Sequence, residues 1–380
     1  QFWTRYGLGH YLTKQMDRLV DITGLDAWVL KLAEHTDYSE ADKREIQRQI
    51  TDRYVGDYVS RWRNALTNLN VRPFTDISEA TDALDAVLNN GQPIWRALLL
   101  LRDNTQTQLQ AAIVDPKIPV PDVAKKERKV AETLNIAQKN SLEQIGNQPE
   151  YVLLNRIGRS FIEQKALVDQ SEDQNGQLRQ AYNALAAMNA ELHRISNAPE
   201  PGKASLLLVQ MRFQQNNADA FFTAKQMSRN LSDPLGRWVG QLADNSWEAV
   251  MGLALQSLEK EWSGKVVTPF LSQLADKYPF NRKATKDVAL SDMERFFAPD
   301  GVIDSFYNDN LKVFVEGHAS AVDGRSVIRP EIVKSLQQAE KIRSVFFSKQ
   351  NGFGIQYAIS PIELSANKRL AVLNLDGQLI

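Results

Sequence analysis

The sequence predicts a mainly α fold: elongated multi-helix domains followed by the start of a C-terminal β-sandwich domain that is truncated in this chain. Three observations predict it. Long stretches repeat apolar residues at intervals of three and four, the period of a helix that buries one face. After about Phe347 the pattern changes to strict alternation, the period of a half-buried strand. Hydrophobic residues make up 43% and charged residues 24%, the composition of a packed chain rather than a disordered one. At 380 residues the chain exceeds one ordinary core, so several domains are expected.

The clearest element runs from Ser39 to about Asn70. Ser39 and Asp42 have the spacing of a capping box, with Asp in place of the usual Glu. Behind them Ile46, Ile50, Tyr54, Tyr58, Trp62 and Leu66 recur every four residues, flanked by Val55, Val59 and Leu69. That is one broad apolar stripe along about eight helical turns. Arg48, Arg53, Arg61 and Arg63 fall off the stripe, where they stay in water. Tyr11 to Leu19 and Leu25 to Leu32 read as earlier helices, broken at Thr23-Gly24. Ile77 to Leu88 and Pro93 to Leu101 read as later ones, divided by the turn signal Asn89-Asn90-Gly91.

An N-terminal helical domain is therefore expected over 1–114, and a Pro-rich connector over 115–125. Pro116, Pro119 and Pro121 place three prolines in six residues, which stops a helix and favours extended backbone. A second helical region is expected over 126–347. It is interrupted by a loop at Ala198-Pro199-Glu200-Pro201-Gly202, with helices resuming through Met211 to Met227 and Leu235 to Trp262. Residues 348–380 are expected to hold the first strands of a β domain. Ile355, Tyr357 and Ile359 alternate with polar or small residues, Leu370 to Leu375 is a second apolar run, and Asp376-Gly377 is a hairpin signal.

Lys plus Arg (45) and Asp plus Glu (46) nearly cancel, for a formal charge of -1, which gives no basic footprint for nucleic acid. The basic run Lys125 to Lys129 reads as a solvated helix face. The chain has no cysteine, so thiol catalysis and disulfides are excluded. The longest apolar runs are far short of a membrane-spanning helix. The first residue is Gln and no signal pattern opens the chain, so a piece of a longer protein is expected, with any membrane anchor outside it.

The search for chemistry finds no constellation. His10, His35, His193 and His318 stand singly, without metal-ligand spacing. Gly7-Leu8-Gly9 has no strand before it to make a dinucleotide turn. Asp300, Asp304, Asn308, Asp309 and Asn310 cluster, but not at the alternate positions of a calcium loop. Asp300-Gly301 reads instead as a turn, and Asp304 as a first-turn residue favoured by the helix dipole. No catalytic residue, cofactor site or metal site is assigned, and the chain is read as non-enzymatic. The alternatives kept open are an unrelated helical adaptor or scaffold and a two-carboxylate cell-wall hydrolase, since the acidic residues offer many pairings.

The most distinctive block runs from Trp262 to Phe347. It contains Lys277-Tyr278-Pro279-Phe280, then Asp292-Met293-Glu294-Arg295-Phe296-Phe297, then Gly301-Val302-Ile303-Asp304-Ser305-Phe306, and ends on a helix at Ile342 to Phe347. Pro279 is expected to set an extended entry, Ser291 with Glu294 to cap a helix, Phe296 with Phe297 to anchor it, and Pro299-Asp300-Gly301 to turn the chain. This order of pieces resembles the C-terminal periplasmic part of the IcmF/TssM family of type VI secretion inner-membrane proteins. The likeness extends upstream through Ala27-Trp28-Val29-Leu30, the Tyr54 to Trp62 helix and Asp103-Asn104-Thr105, with Met293 standing where a Phe is usual.

The resemblance implies a periplasmic segment of an inner-membrane protein that associates with copies of itself. It also implies a reach toward an outer-membrane lipoprotein (TssJ), mainly through the β domain, and contact with the inner-membrane partner TssL through parts outside this chain. Tyr278, Pro279, Phe280, Asp292, Phe296, Phe297, Gly301, Asp304 and Phe306 are then a structural motif, not a ligand site.

Overall fold

The computed structural model describes residues 3–10, 39–89, 92–105, 155–171, 173, 176–215, 219–316, 321–322, 325–326, 328–347, 354, 366–370, 372, 374–375 and 378–379. These are mostly helical, and the chain divides into two compact units. Residues 1–212 and 217–254 form the first, and residues 213–216 and 255–380 the second. The expected helices Tyr11 to Leu19 and Leu25 to Leu32, the connector 115–125, the Lys125 to Lys129 run, His35 and His318 lie outside the described residues.

The first unit is built on the long helix Glu40–Asn68. Its start carries the expected reciprocal cap: Asp42 N–H donates to Ser39 Oγ at 3.2 Å, and Ser39 N–H to Asp42 Oδ2 at 3.1 Å. Tyr54, Val55, Tyr58, Val59 and Leu66 are buried along the stripe, Ile46, Ile50 and Trp62 are half-buried, and the four arginines face water. The stripe ends early, because Leu69 is the C-cap and is exposed.

Helices follow at Ile77–Leu88, Pro93–Thr105, Ile162–Asp169, Gln177–Ser196, Pro201–Gln215, Ala220–Ser228 and Leu235–Trp262. Gln177–Ser196 packs against both Ile77–Leu88 and Ala220–Ser228, and Ile162–Asp169 against Pro93–Thr105. Leu84, Leu98, Leu185, Met188, Leu192 and Ile195 are fully buried among them. The loop expected through Gly202 is shorter. Pro201 begins a helix, because a proline at the first helical position loses no hydrogen bond and already has a helical φ.

Between the first two long helices, the chain at 69–74 forms no regular element, and side chains of the Leu235–Trp262 helix satisfy its backbone. Arg237 donates to Leu66 O at 2.7 Å and Leu69 O at 3.0 Å, and Trp238 Nε1 to Leu69 O at 2.6 Å. Gln241 accepts from Val71 N–H at 3.0 Å, and Asn245 donates to Arg72 O at 2.8 Å. Backbone groups that leave a helix must find partners, and here one helix face supplies them.

Elsewhere in this unit, Asp85 accepts from Asn189 at 2.7 Å and lies 3.1 Å from His193 Nε2. These hydrogen bonds, Asn189 first, hold the Asp85 carboxyl below its usual range. His193 is thus part of a helix–helix contact. Arg212 forks onto Asp219 and lies over the Trp247 ring, 3.1 Å from its centroid.

The second unit takes the end of the Leu235–Trp262 helix and continues through π-helical turns at Ser263–Val267 and Leu271–Ala275. Short helices Leu290–Phe297 and Val302–Phe306 follow, then a π turn at Tyr307–Leu311, and later the helix Pro330–Phe346. A two-residue antiparallel ladder, Ala321 opposite Ser326 and Val322 opposite Arg325, was not expected from sequence. In 348–380 the described residues hold one antiparallel ladder, Asn374 opposite Leu379 and Leu375 opposite Gln378. A β-sandwich is not formed by these residues. The expected strand Ile355 to Ile359 and the Asp376-Gly377 turn lie outside the described ones.

Candidate functional site

The motif residues converge in the second unit, and they do so through aromatic packing. Phe270, half-buried after the first π turn, meets Phe280 edge-on at 5.3 Å and Phe296 at 5.7 Å between centroids. Phe280 stacks on Phe297 at 5.8 Å, and Phe296 meets Phe297 at 4.8 Å. Consecutive Phe residues on a helix diverge by about 100°, so the Leu290–Phe297 helix reaches neighbours in two directions. Each such pair adds about 0.5–1.5 kcal/mol beyond the area it buries. Trp262 closes a second contact, edge-on to buried Phe306 at 5.3 Å.

The corner that presents Phe280 is held by backbone. Tyr278 N–H donates to Lys286 O at 2.9 Å, and Val288 N–H to Tyr278 O at 3.0 Å, an isolated parallel bridge. The Tyr278–Pro279 peptide is cis. Tyr278 is about half exposed, and the hydrogen bonds that tie it into the site come from its main chain. Asp292 lies 3.5 Å from Lys277 and 3.8 Å from Arg295. The cap expected from Ser291 and Glu294 is not made: the helix begins two residues sooner, with Ala289 at the cap and no side-chain cap bond. Ser291 is then already inside the first turn, while Ala289 O accepts from Asp292 N–H at 2.9 Å.

The turn into the next helix is tightly determined. Asp300 has φ 63°, the left-handed region that Asp and Asn enter more readily than most residues. Gly301 has ordinary φ, but a Cβ there would lie 2.9 Å from both Ala298 O and Arg295 O. Only a glycine fits under those carbonyls. Asp304, in the first turn of Val302–Phe306, accepts from Asp300 N–H at 3.0 Å and from Asn308 Nδ2 at 3.4 Å.

Arg343, from the Pro330–Phe346 helix, reaches Asp304 Oδ1 with Nη1 at 2.6 Å and Phe297 O with Nε at 3.4 Å. One guanidinium thus joins the ends of two short helices to a third. The sequence reading passed over this role, and over Phe270. A lysine or arginine in a last helical turn is ordinary, and Phe270 had no signal beyond its helical distance from Trp262.

The acidic cluster resolves the same way. Asp304 is committed to Arg343 and to its own turn, and Asn310 Nδ2 donates to Phe306 O at 3.3 Å. Among the described residues no group of His, Asp and Glu is arranged to hold a metal ion. The geometry ties helix ends together.

The comparisons with known proteins follow the same regions. Residues 1–106 match a family model described as IcmF-related, intracellular multiplication and human macrophage-killing, and residues 253–352 match the type VI secretion protein IcmF helical domain. The second match holds the whole Phe270 to Arg343 site. The type VI secretion system component TssM1 of Pseudomonas aeruginosa is 24% identical over 366 residues, 93% of this chain and 32% of that protein.

Two solved structures share the fold. A chain of a type VI secretion system membrane core complex has a TM-score of 0.55 at 17% identity, over 92% of this chain and 63% of that one. A chain of a type VI membrane complex has a TM-score of 0.51 at 17% identity, over 90% of this chain and 60% of that one. The chain therefore spans about a third of the curated relative and about three fifths of the solved chains. With IcmF models on both of its compact units and a TssM relative along nearly its whole length, this chain belongs to the IcmF/TssM family of type VI secretion proteins.

Proposed function

We propose that this chain is a structural pillar segment of a type VI secretion membrane complex. In this reading it stands in the periplasm, associates with copies of itself and links the inner membrane to an outer-membrane lipoprotein (TssJ). Contacts to TssL are made by parts of the protein outside this chain. The observation that carries the reading is the match to TssM1 along 93% of the chain. The geometry supports it physically: helix ends and inter-helix segments are clamped by buried aromatics and by arginines on carbonyls, as suits a part that transmits force. The motif residues Tyr278, Pro279, Phe280, Asp292, Phe296, Phe297, Gly301, Asp304 and Phe306 act in this reading as packing corners, without a catalytic role.

The test uses the segment extended to its natural C-terminus. Light scattering after size exclusion should show concentration-dependent association, and the immobilised lipoprotein should retain the segment. A monomer at all concentrations that fails to bind the lipoprotein would sink the reading. Fractionation of the tagged full-length protein checks the location, which the reading places on the periplasmic side of the inner membrane.

A further inference from the structure

A cavity of about 500 Å³ opens beside the aromatic cluster in the second unit. Trp262, Phe270, Phe280, Phe296 and Phe297 line it. The π turn Ser263–Val267 adds Val266 and Val267 to the wall. A π turn widens the helix and breaks its regular packing against a neighbour, one reason such turns gather at binding sites.

The opposite side comes from the Pro330–Phe346 helix, which buries Ile332 and Ala339. Its polar contribution is Ser335, Gln338 and Lys341, three residues apart and so on successive turns of one helix edge. Lys341 is exposed and is the one charged side chain among the described lining residues; no carboxylate lines the cavity with it.

A concave site of several hundred Å³, apolar over most of its wall with a few polar groups at one edge, has the make-up of a small-molecule site. The charge asymmetry selects the occupant. An apolar body satisfies the rings, and an anionic head satisfies a lysine that has no acidic neighbour in the wall. We propose that this cavity binds a single-chain amphiphile, its hydrocarbon chain against the five aromatic rings and its anionic head on Lys341. Gln338 donates to the same head, while the Ser335 hydroxyl, which donates to Glu331 O at 2.9 Å, only borders it. This binding is separate from the pillar role, and neither depends on the other.

Sodium dodecanoate, kept well below its micelle concentration, is the probe, titrated calorimetrically into the 380-residue chain beside uncharged dodecanol. Saturable binding at one site per chain is expected. Lys341→Gln should weaken dodecanoate about fivefold, the scale of one exposed ion pair, and leave dodecanol unchanged. Ser335→Phe, which fills the polar edge, should abolish binding of both, with circular dichroism showing the fold retained. Because Lys341 is exposed, Lys341→Gln keeps the test intact if Ser335→Phe fails to fold. Absence of saturable binding, or equal dodecanoate affinity in the parent and Lys341→Gln, overturns the proposal. If dodecanoate does not bind and Ser335→Phe instead changes self-association, the cavity receives a second copy of the chain and the proposal is wrong.

Discussion

Arg343 donates to Asp304 across 2.6 Å, joining the last turn of one helix to the first turn of another. Both side chains are mostly shielded, at 24% and 14% exposure, so the pair is not screened like a surface contact. Its partners are unequal: Asp304 also caps its own turn through Asp300 N–H, whereas Arg343 also reaches the Phe297 carbonyl.

Removing either partner should therefore destabilise the second unit, Asp304→Ala more than Arg343→Met. The expected losses are about 2–3 and about 1–2 kcal/mol, because a shielded charge or donor is left unpaired. Urea unfolding of both single variants and the double variant checks this. A coupling energy near zero would show that the two residues act independently.

Gly301 gives a sharper steric test. Gly301→Ala forces a Cβ against two carbonyl oxygens at 2.9 Å, and about 1–3 kcal/mol of stability should be lost. Gly252→Ala is the control. That glycine is exposed within the Leu235–Trp262 helix with nothing within 4 Å of its Cβ position, so alanine should add about 0.5–1 kcal/mol. Thermal melts should move in opposite directions.

Tyr58 ties the first unit's long helix to the end of Pro93–Thr105, its hydroxyl donating to Asn104 O at 2.7 Å with the residue fully buried. Tyr58→Phe should cost about 1–2 kcal/mol, chiefly by orphaning that carbonyl. Burial pushes the Tyr58 hydroxyl up to about 12. A folded pKa above the unfolded value near 10 stabilises fully below pH 10. That contribution is lost as pH rises from 10 through 12. Tyr58→Phe should flatten this alkaline decline when unfolding free energy is measured against pH.

Arg212 tests whether geometry or charge matters in the first unit. Its guanidinium forks onto Asp219, itself the N-cap of Ala220–Ser228, and lies over Trp247. Lysine keeps the charge but loses the fork and the planar stack, so Arg212→Lys should cost about 1–3 kcal/mol. Arg48→Lys, altering the exposed pair with Glu45, should leave the denaturation midpoint where it was. Equal effects would refute a geometric role for Arg212.

What the sequence by itself determined is local. The helix from Ser39 onward was legible because its cap and its four-residue stripe are interactions between near neighbours, repeated along one element. The bounds of Ile77–Leu88 and Leu235–Trp262 were legible for the same reason, as was the corner at Pro299-Asp300-Gly301. Family resemblance added the setting of the motif block.

Tertiary structure alone decided which groups meet. Arg237 bonds a carbonyl 168 residues away, and Arg343 one 46 residues away, and no periodicity encodes such a choice. The unused cap at Ser291 was misjudged because a serine near a helix start fits several roles, and long-range packing selects one. The helix period names the face that must be buried; what buries it is settled only when distant segments compete for the same surface.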